Sequence, residues 1–480
     1  MFVVAFIVYW PGLNAPYFAD DYQFVFDKPA SKIFYYFTHP NKENGFYRPL
    51  QASFLAAVQA YFGMQTWPVH LTQLSLHTLL ACFVYIAIKE LGFSRLQAAV
   101  GAAFMLLSQI NVHAVSSNDT LSQLGGTFFG TLSLWLLYCS YKTVDGRLQQ
   151  RRINYGYYTA AVLAIVLSLF SKESSISFPL MAAIIIMLAN KKISDRTPLI
   201  RRIIIDLFPY VSSVGIYLLV RSVAADIQPA FGSDSYYFHA GFNIVRNLAM
   251  FVFALFVPVS TVEVFSAFER GSFIYLGIAD IGTAAFFVLV VSGLWCEAQS
   301  GIVILIAIFA LLGLFPMVFM NHVSELYAYN SMPFVSALVG ISLGRLWTTM
   351  GTRPGMVLAA VMFCILTAGH LAAVRSKVAL MKDNGCKTVS LMRQIKPFVN
   401  AMPLNGRLWL SNPLHAGLEY SVFCMPGFKV LNCALHTPHL WHRPDLEMHI
   451  IPAGEAGNIR PAVDTLVLTL IGDGIVVRQQ

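Results

Sequence analysis

Long apolar runs separated by short polar breaks set the character of this chain from its first residues. Runs of roughly 20 residues suit helices that cross a bilayer. They are predicted over 68–88, 96–114, 120–141, 155–171, 174–190, 203–221, 273–294, 301–320, 332–347 and 355–374. With the first segment, Met1 to Leu13, the count comes to about eleven. That segment is short for a span, so it is either a tilted helix in thin surroundings or the end of one that begins upstream. It lacks the basic stretch and cleavage site of a removable signal peptide. The stretch 244–260 is apolar but broken at Pro258, and is read as re-entrant or interfacial. Between 14 and 67, Lys28, Lys32, Lys42 and Arg48 alternate with clusters such as Phe34-Tyr35-Tyr36-Phe37, which predicts an outer loop with helices lying in the interface. From 375 onward Pro and Gly punctuate short apolar runs at 407–410, 429–431, 465–470 and 475–477. The predicted fold is a polytopic α-helical membrane protein: a membrane domain over 1–374 and a small C-terminal α/β domain over 375–480. No repeat of fixed period is visible.

Composition agrees with the pattern. At 57% hydrophobic and 12% charged residues, with a mean hydropathy of +0.63, the chain cannot be a water-soluble globule of its length. Its net charge of +8 sits in short loops between apolar runs, which excludes nucleic-acid binding as the reason for it. The basic loops, with Lys89 and Arg95, Lys142 to Arg152, Lys191 to Arg202, and Arg345 and Arg353, are expected in the cytoplasm. The opposite, extracytoplasmic side then receives the first loop, the turns at 113–119 and 171–174, the loop 321–331 and the tail. Cys386, Cys424 and Cys433 of the tail allow one disulfide if that side is oxidising.

Candidate chemistry gathers on this outer side. Ala19-Asp20-Asp21-Tyr22 places adjacent carboxylates just outside the bilayer in a chain with 24 acidic residues in all; they suit proton or metal chemistry, or a solvated turn or helix cap. Both cannot address one proton, and Asp21 is preferred as base over Asp20. Arg48, in Tyr47-Arg48-Pro49-Leu50, can fork onto a phosphate or snorkel to lipid headgroups. Lys172 and Glu173 sit in a tight turn between apolar runs, as a functional pair or as a hairpin-capping ion pair. His113, Asn118 and Asp119 border successive spans and are explained by capping as readily as by function. Glu325 and Tyr327 enter a late span, and Arg221 and Arg246 are further outer cations suited to a lipid phosphate. His436, His439 and His442 have partly helical spacing, but Pro438 and Pro444 and the lack of a thiol or carboxylate partner speak against a metal site.

In this order the motifs Phe18-Ala19-Asp20-Asp21, Phe46-Tyr47-Arg48-Pro49-Leu50, His70 and His77, His113 to Asp119, Leu169-Phe170-Ser171-Lys172-Glu173 and Ser324-Glu325-Leu326-Tyr327 resemble those of the GT-C membrane glycosyltransferases. The resemblance covers roughly residues 1–350. It is closest to the protein O-mannosyltransferase group, in the branch with transmembrane spans and tetratricopeptide repeats, although the tail here shows no such repeats. The loop 321–331 also lacks the arginine that often follows the glutamate in relatives. The resemblance implies inverting transfer of a mannose-like hexose or related sugar from a polyprenyl-phosphate carrier, on the outer face of the membrane, to a protein, glycan or lipid acceptor. It implies Asp20 or Asp21 as base, and Arg48, Lys172 and possible help from Arg221 or Arg246 as phosphate ligands. No cofactor is required by it; a divalent cation such as Mg or Mn stays open, since one acidic pair offers too few ligands for an all-protein site. A transporter or a non-catalytic lipid-binding scaffold are the rival readings. Polar residues collected at one membrane face, with no paired inverted repeats, favour the enzyme over the transporter.

Overall fold

The structure, a computed structural model, describes residues 1–39, 46–142, 153–190, 196–224, 238–297, 299–349, 353–412, 419–435, 437–452, 455, 459, 464–472 and 474–477. The chain opens with α1 (Phe2–Tyr9), which passes through a 3-10 turn at Trp10–Gly12 into the first loop. That loop holds a 3-10 turn at Ala19–Phe24, the short α2 (Pro29–Lys32) and α3 (Pro49–Phe62). Pro49 opens α3 because a proline needs no amide partner in a first helical turn.

The membrane bundle follows with α4 (Trp67–Glu90), α5 (Arg95–Leu107), α6 (Val112–Ser116), α7 (Leu121–Tyr141), α8 (Tyr155–Ser171), α9 (Ser177–Asn190) and α10 (Arg196–Ala224). Its later helices are α11 (Phe242–Phe256), α12 (Thr261–Glu269), α13 (Phe273–Trp295), α14 (Ser300–Gly313), α15 (Met332–Thr349) and α16 (Arg353–Ala401). α5 starts at a reciprocal cap: Ser94 Oγ accepts from Gln97 N at 3.2 Å, while Ser94 N donates to Gln97 Oε1 at 2.8 Å. Gln97 then reaches the carbonyl of Ile341 on α15 at 3.0 Å. The two helices can approach this closely because glycines meet: a Cβ on Gly340 would lie 2.5 Å from Gly101 Cα and from Gln97 O.

The span expected at 96–114 is not one straight helix. It breaks at Ser108, bending by 43° between Arg95–Leu107 and Gln109–Ser116. Asn111 Nδ2 donates to the carbonyl of Met105 at 2.7 Å, which satisfies a group that the break uncovers. By length and apolarity five helices qualify as spans among the described residues, six with this bent pair, and four shorter apolar helices accompany them. The count of about eleven is not reached on that measure. α7 and α15 fall outside it because Ser, Thr, Gln and Gly, buried inside the bundle, dilute their apolar character. The molecule is an integral, multi-pass membrane protein with a small C-terminal sheet. α11, at 15 residues, is short for a crossing. Arg221 near the end of α10 and Leu276 near the start of α13 line the same cavity, so α11 and α12 leave and return on one side.

α16 runs unbroken for 49 residues, so the boundary expected at 374/375 falls inside a helix. Its last turns cover the tail sheet, where Leu391, Ile395 and Val399 pack on Leu408, Leu410, Phe428 and Leu468. The sheet has the order β2 (Glu447–Ile451), β1 (Arg407–Ser411), β3 (Thr465–Ile471), β4 (Gly474–Val477). β1 is parallel to both β2 and β3, and β4 is antiparallel to β3. Lys429–Leu431, an expected apolar run, belongs to a 3-10 turn, whereas β2 escaped the sequence because Glu447 and His449 interrupt its apolar pattern. The short α17 (Asn432–Leu435) and α18 (Pro438–Trp441) lie between β1 and β2 in the chain. All the cysteines are free thiols, including Cys386 on α16, Cys424 in the tail turn and Cys433 on α17.

Candidate active site

Ala19 decides how the acidic pair is divided. Its φ of 44° lies in the left-handed region that an L side chain rarely adopts, and it opens a 3-10 turn that sends the next carboxylates different ways. Asp21 turns inward and is 1% exposed. Its Oδ2 accepts from Phe18 N at 3.2 Å and Asn118 Nδ2 at 3.0 Å, and its Oδ1 from Asp119 N at 3.0 Å and Ser117 Oγ at 3.3 Å. These bonds clamp the first loop onto the turn between α6 and α7. Burial and then the Asp119 charge raise the Asp21 carboxyl above its ordinary range, against the hydrogen bonds that lower it. Asp20 is only partly buried and faces a cavity. Burial and then Asp119 raise its carboxyl too, opposed by contacts from Cys433, Gln23 and Asn432. The geometry thus reverses the expected preference: Asp21 has its acceptor sites filled by the protein, and Asp20 is the member that a substrate can reach.

The cations divide in the same way. Arg48, at the start of α3, forks onto Glu173: Nε reaches Oε2 at 3.0 Å and Nη2 reaches Oε1 at 2.6 Å. Its guanidinium also lies 4.1 Å from the centre of the Phe46 ring. Lys172 approaches Glu173 less closely, with 3.8 Å from Nζ to Oε1. Burial, followed by the Arg48 charge, lowers the Lys172 ammonium to about 8. Lys172 is thus poorly compensated by protein and able to gain from an anion. Ser168 Oγ ties the end of α8 to α7 by donating to Gly126 O at 2.6 Å, and Gly126 leaves room for the Lys172 stem: a Cβ there would lie 3.0 Å from Lys172 Cβ.

On the far side of the cavity Glu325 is joined to a residue that sequence reasoning missed. Lys377 of α16, wholly buried, reaches Glu325 Oε2 at 2.7 Å and Oε1 at 2.9 Å, and also bonds the side chain of Gln109. Thr261 of α12 donates to the same carboxylate, and Tyr420 of the tail does so at 3.2 Å. The boundary expected at 374/375 puts Lys377 in the tail, whereas α16 carries it into the bundle. The tail turn carrying Tyr420 is pinned by Asn384 of α16, whose Nδ2 donates to Val422 O at 2.8 Å and Phe423 O at 3.1 Å.

These groups surround one cavity of about 1220 Å³. Asp20, Arg48, His113, Asp119, Lys172, Glu173, Arg221, Glu325 and Tyr327 all line it. Asn118 stands behind the wall with Asp21. Arg246 is exposed and bonds Asn321 O at 3.1 Å, at the rim, one turn before Ala249 and Met250 of the same helix enter the lining. An apolar wing of the cavity continues along α11, α12 and α13 with Phe265, Phe268 and Leu276. His436 lies outside the described residues, as does the side chain of His439. Among the described residues no group of three or more His, Cys, Asp or Glu side chains is arranged to hold a metal ion.

No family model matches the chain, and no curated protein matches it. Among solved structures it is similar to ArnT from Cupriavidus metallidurans bound to undecaprenyl phosphate, at 12% identity and a TM-score of 0.56 over 98% of this chain and 92% of that one. The apo state of the same protein gives 12% identity and a TM-score of 0.55 over the same shares, 98% and 92%. A third similarity is to the Archaeoglobus fulgidus oligosaccharyltransferase in complex with zinc and sulfate, at 12% identity and a TM-score of 0.48, covering 98% of this chain and 67% of that one. The ArnT likeness shows the fold: this chain shares the fold of ArnT over nearly the whole of both chains. None of these structures is a protein O-mannosyltransferase.

Proposed function

We propose that this chain is a glycosyltransferase that moves a sugar from a polyprenyl-phosphate carrier to an acceptor hydroxyl, with Asp20 as base. The observation that carries the reading is the single cavity in which an accessible carboxylate, an incompletely paired cation and an apolar wing meet. Asp20 takes the proton of the acceptor hydroxyl as its oxygen forms a bond to the sugar's anomeric carbon. The bond from that carbon to the phosphate oxygen breaks on the opposite side, so the configuration inverts and the carrier departs as polyprenyl phosphate. Lys172 and Arg221 stabilise the negative charge left on the phosphate, and Arg48, through its fork on Glu173, holds that wall in place. The apolar wing along α11 to α13 accommodates the prenyl chain, with Arg246 at its rim. The ArnT structure bound to undecaprenyl phosphate supports this class of donor, since a shared fold places its lipid-binding architecture within reach of this chain.

Basic residues in the alternate loops support an extracytoplasmic face for the cavity and the tail. A hexose or closely related sugar fits the resemblance of the motifs. The test is to incubate the purified protein with polyprenyl-phosphate hexoses and a panel of acceptors, following release of polyprenyl phosphate and the anomeric configuration of the product. Turnover with inversion is expected. Failure to bind polyprenyl phosphate, together with no turnover of any such donor, would sink the reading.

A further inference from the structure

We infer that the C-terminal domain completes the reacting centre, with Cys433 as the positioning residue that holds the Asp20 carboxylate for its work as base. The inference rests on the glycosyl-transfer reading above. Cys433 Sγ donates to Asp20 Oδ1 at 3.4 Å, and Gln23 Nε2 donates to the same sulfur at 3.4 Å. α17, which carries Cys433, is fixed against the first loop, since Ala434 packs on Tyr17, Tyr22 and Val25. Tyr22 in turn donates to Met392 Sδ of α16 at 3.3 Å, and Thr437 Oγ1 closes on Cys433 O at 2.8 Å. These contacts hold the Cys433 backbone beside Asp20, and the Gln23 bond to the sulfur favours the rotamer that faces the carboxylate.

A thiol is a weak donor, but an ionised acceptor strengthens the bond it makes. Engaging Oδ1 restrains the rotation of the carboxylate, together with the contacts that Gln23 and Asn432 make with the same group, and so fixes its direction toward the cavity. The charged and titratable groups around Asp20 are Asp119 on the facing turn and Cys433 on α17, with Asp21 next in the chain committed to its clamp. Burial and then the Asp20 charge push the Cys433 thiol up to about 12, so it remains a protonated donor over any working pH. Its hydrogen bond also restrains the rise that burial and Asp119 impose on Asp20.

The test uses Cys433→Ala and Cys433→Ser in the full chain. Cys433→Ala should lower kcat about tenfold, the scale of one hydrogen bond to a charged group. It should also move the acid limb of the kcat/KM profile upward and leave the KM for the donor unchanged. Cys433→Ser, which keeps a donor, should hold the limb near that of the native protein. An unmoved limb in Cys433→Ala would overturn the inference, whatever happens to yield, because a packing role cannot set a titration. A readout independent of turnover is iodoacetamide alkylation of Cys433, followed by mass spectrometry. Asp20→Asn should speed it several-fold by removing the facing charge, and equal rates would overturn the contact. Accelerated alkylation in Asp20→Asn, beside a native protein that transfers no sugar, would instead sink the glycosyl-transfer reading, leaving the contact itself established.

Discussion

Asp20 and Asp21 are neighbours in the chain with opposite surroundings, Asp20 facing the cavity and Asp21 clamped behind its wall. Asp20→Asn should remove a base and lower turnover by about 10²- to 10⁴-fold while leaving the protein folded. Asp21→Asn should do the reverse in kind. It sets an amide donor among Asn118 Nδ2 and the N–H groups of Phe18 and Asp119, and should destabilise by about 1–3 kcal/mol. Melting in detergent beside single-turnover assays separates the two, and a stable, inactive Asp21→Asn would exchange their roles. The pH profile carries a sign as well. A base must be ionised, and burial with the Asp119 charge raises Asp20, so activity should fall as pH drops through a value above the usual carboxylate pKa of about 4.

At the scale of elements, the turn between α8 and α9 presents Lys172 while α3 presents Arg48, and their partners set what each can do. Lys172→Gln should raise the KM for the lipid-phosphate donor and leave that for the acceptor unchanged, as measured by initial rates with each substrate varied. Because burial lowers the Lys172 ammonium to about 8, donor affinity should also weaken as pH rises through that value and the charge is lost. Arg48→Gln should act mainly on stability, by up to about 3 kcal/mol, the low end of the range for a broken buried pair. The discount applies because the Glu173 side chain remains 23% exposed. Where α5 and α15 touch, Gly340→Leu has no space, since even a Cβ would meet backbone. It should cost at least about 1–3 kcal/mol of overpacking, seen as a lowered midpoint of unfolding in detergent.

Across the whole molecule, Lys377 ties together what the chain keeps apart: α16, the loop at Glu325, Thr261 of α12 and the tail turn at Tyr420. Lys377→Met leaves the Glu325 carboxylate buried with no cation, at a cost of about 3–5 kcal/mol. Lys377→Met with Glu325→Gln should recover part of that loss in thermal inactivation. Topology is open to a direct check with single-cysteine variants. Cys386 of α16 and Cys296 beyond α13 are both exposed, at opposite ends of the bundle. An impermeant maleimide should label Cys386 from the side that holds the cavity and Cys296 from the other. Labelling of both from one side would refute the placement of α16.

The membrane class, the gathering of polar residues toward one end and most of the charged residues that line the cavity follow from the sequence alone. Hydropathy and the alternation of basic loops are local properties, and a span forces the residues at its two ends onto opposite faces. The motifs around Asp20, Lys172 and Glu325 were legible for the same reason, since each interrupts an apolar run at an end. What only the tertiary structure decided is direction and partnership. The φ of Ala19 chooses which aspartate faces the cavity, and the acceptor sites of Asp21 are filled from a turn almost a hundred residues away. Glu173 occupies the fork of Arg48, Lys377 answers Glu325, and Cys433 comes to Asp20 from the far end of the chain. No periodicity encodes such pairings, because a buried polar group is satisfied by whatever the packed helices bring within about 3 Å of it, not by its neighbours in sequence.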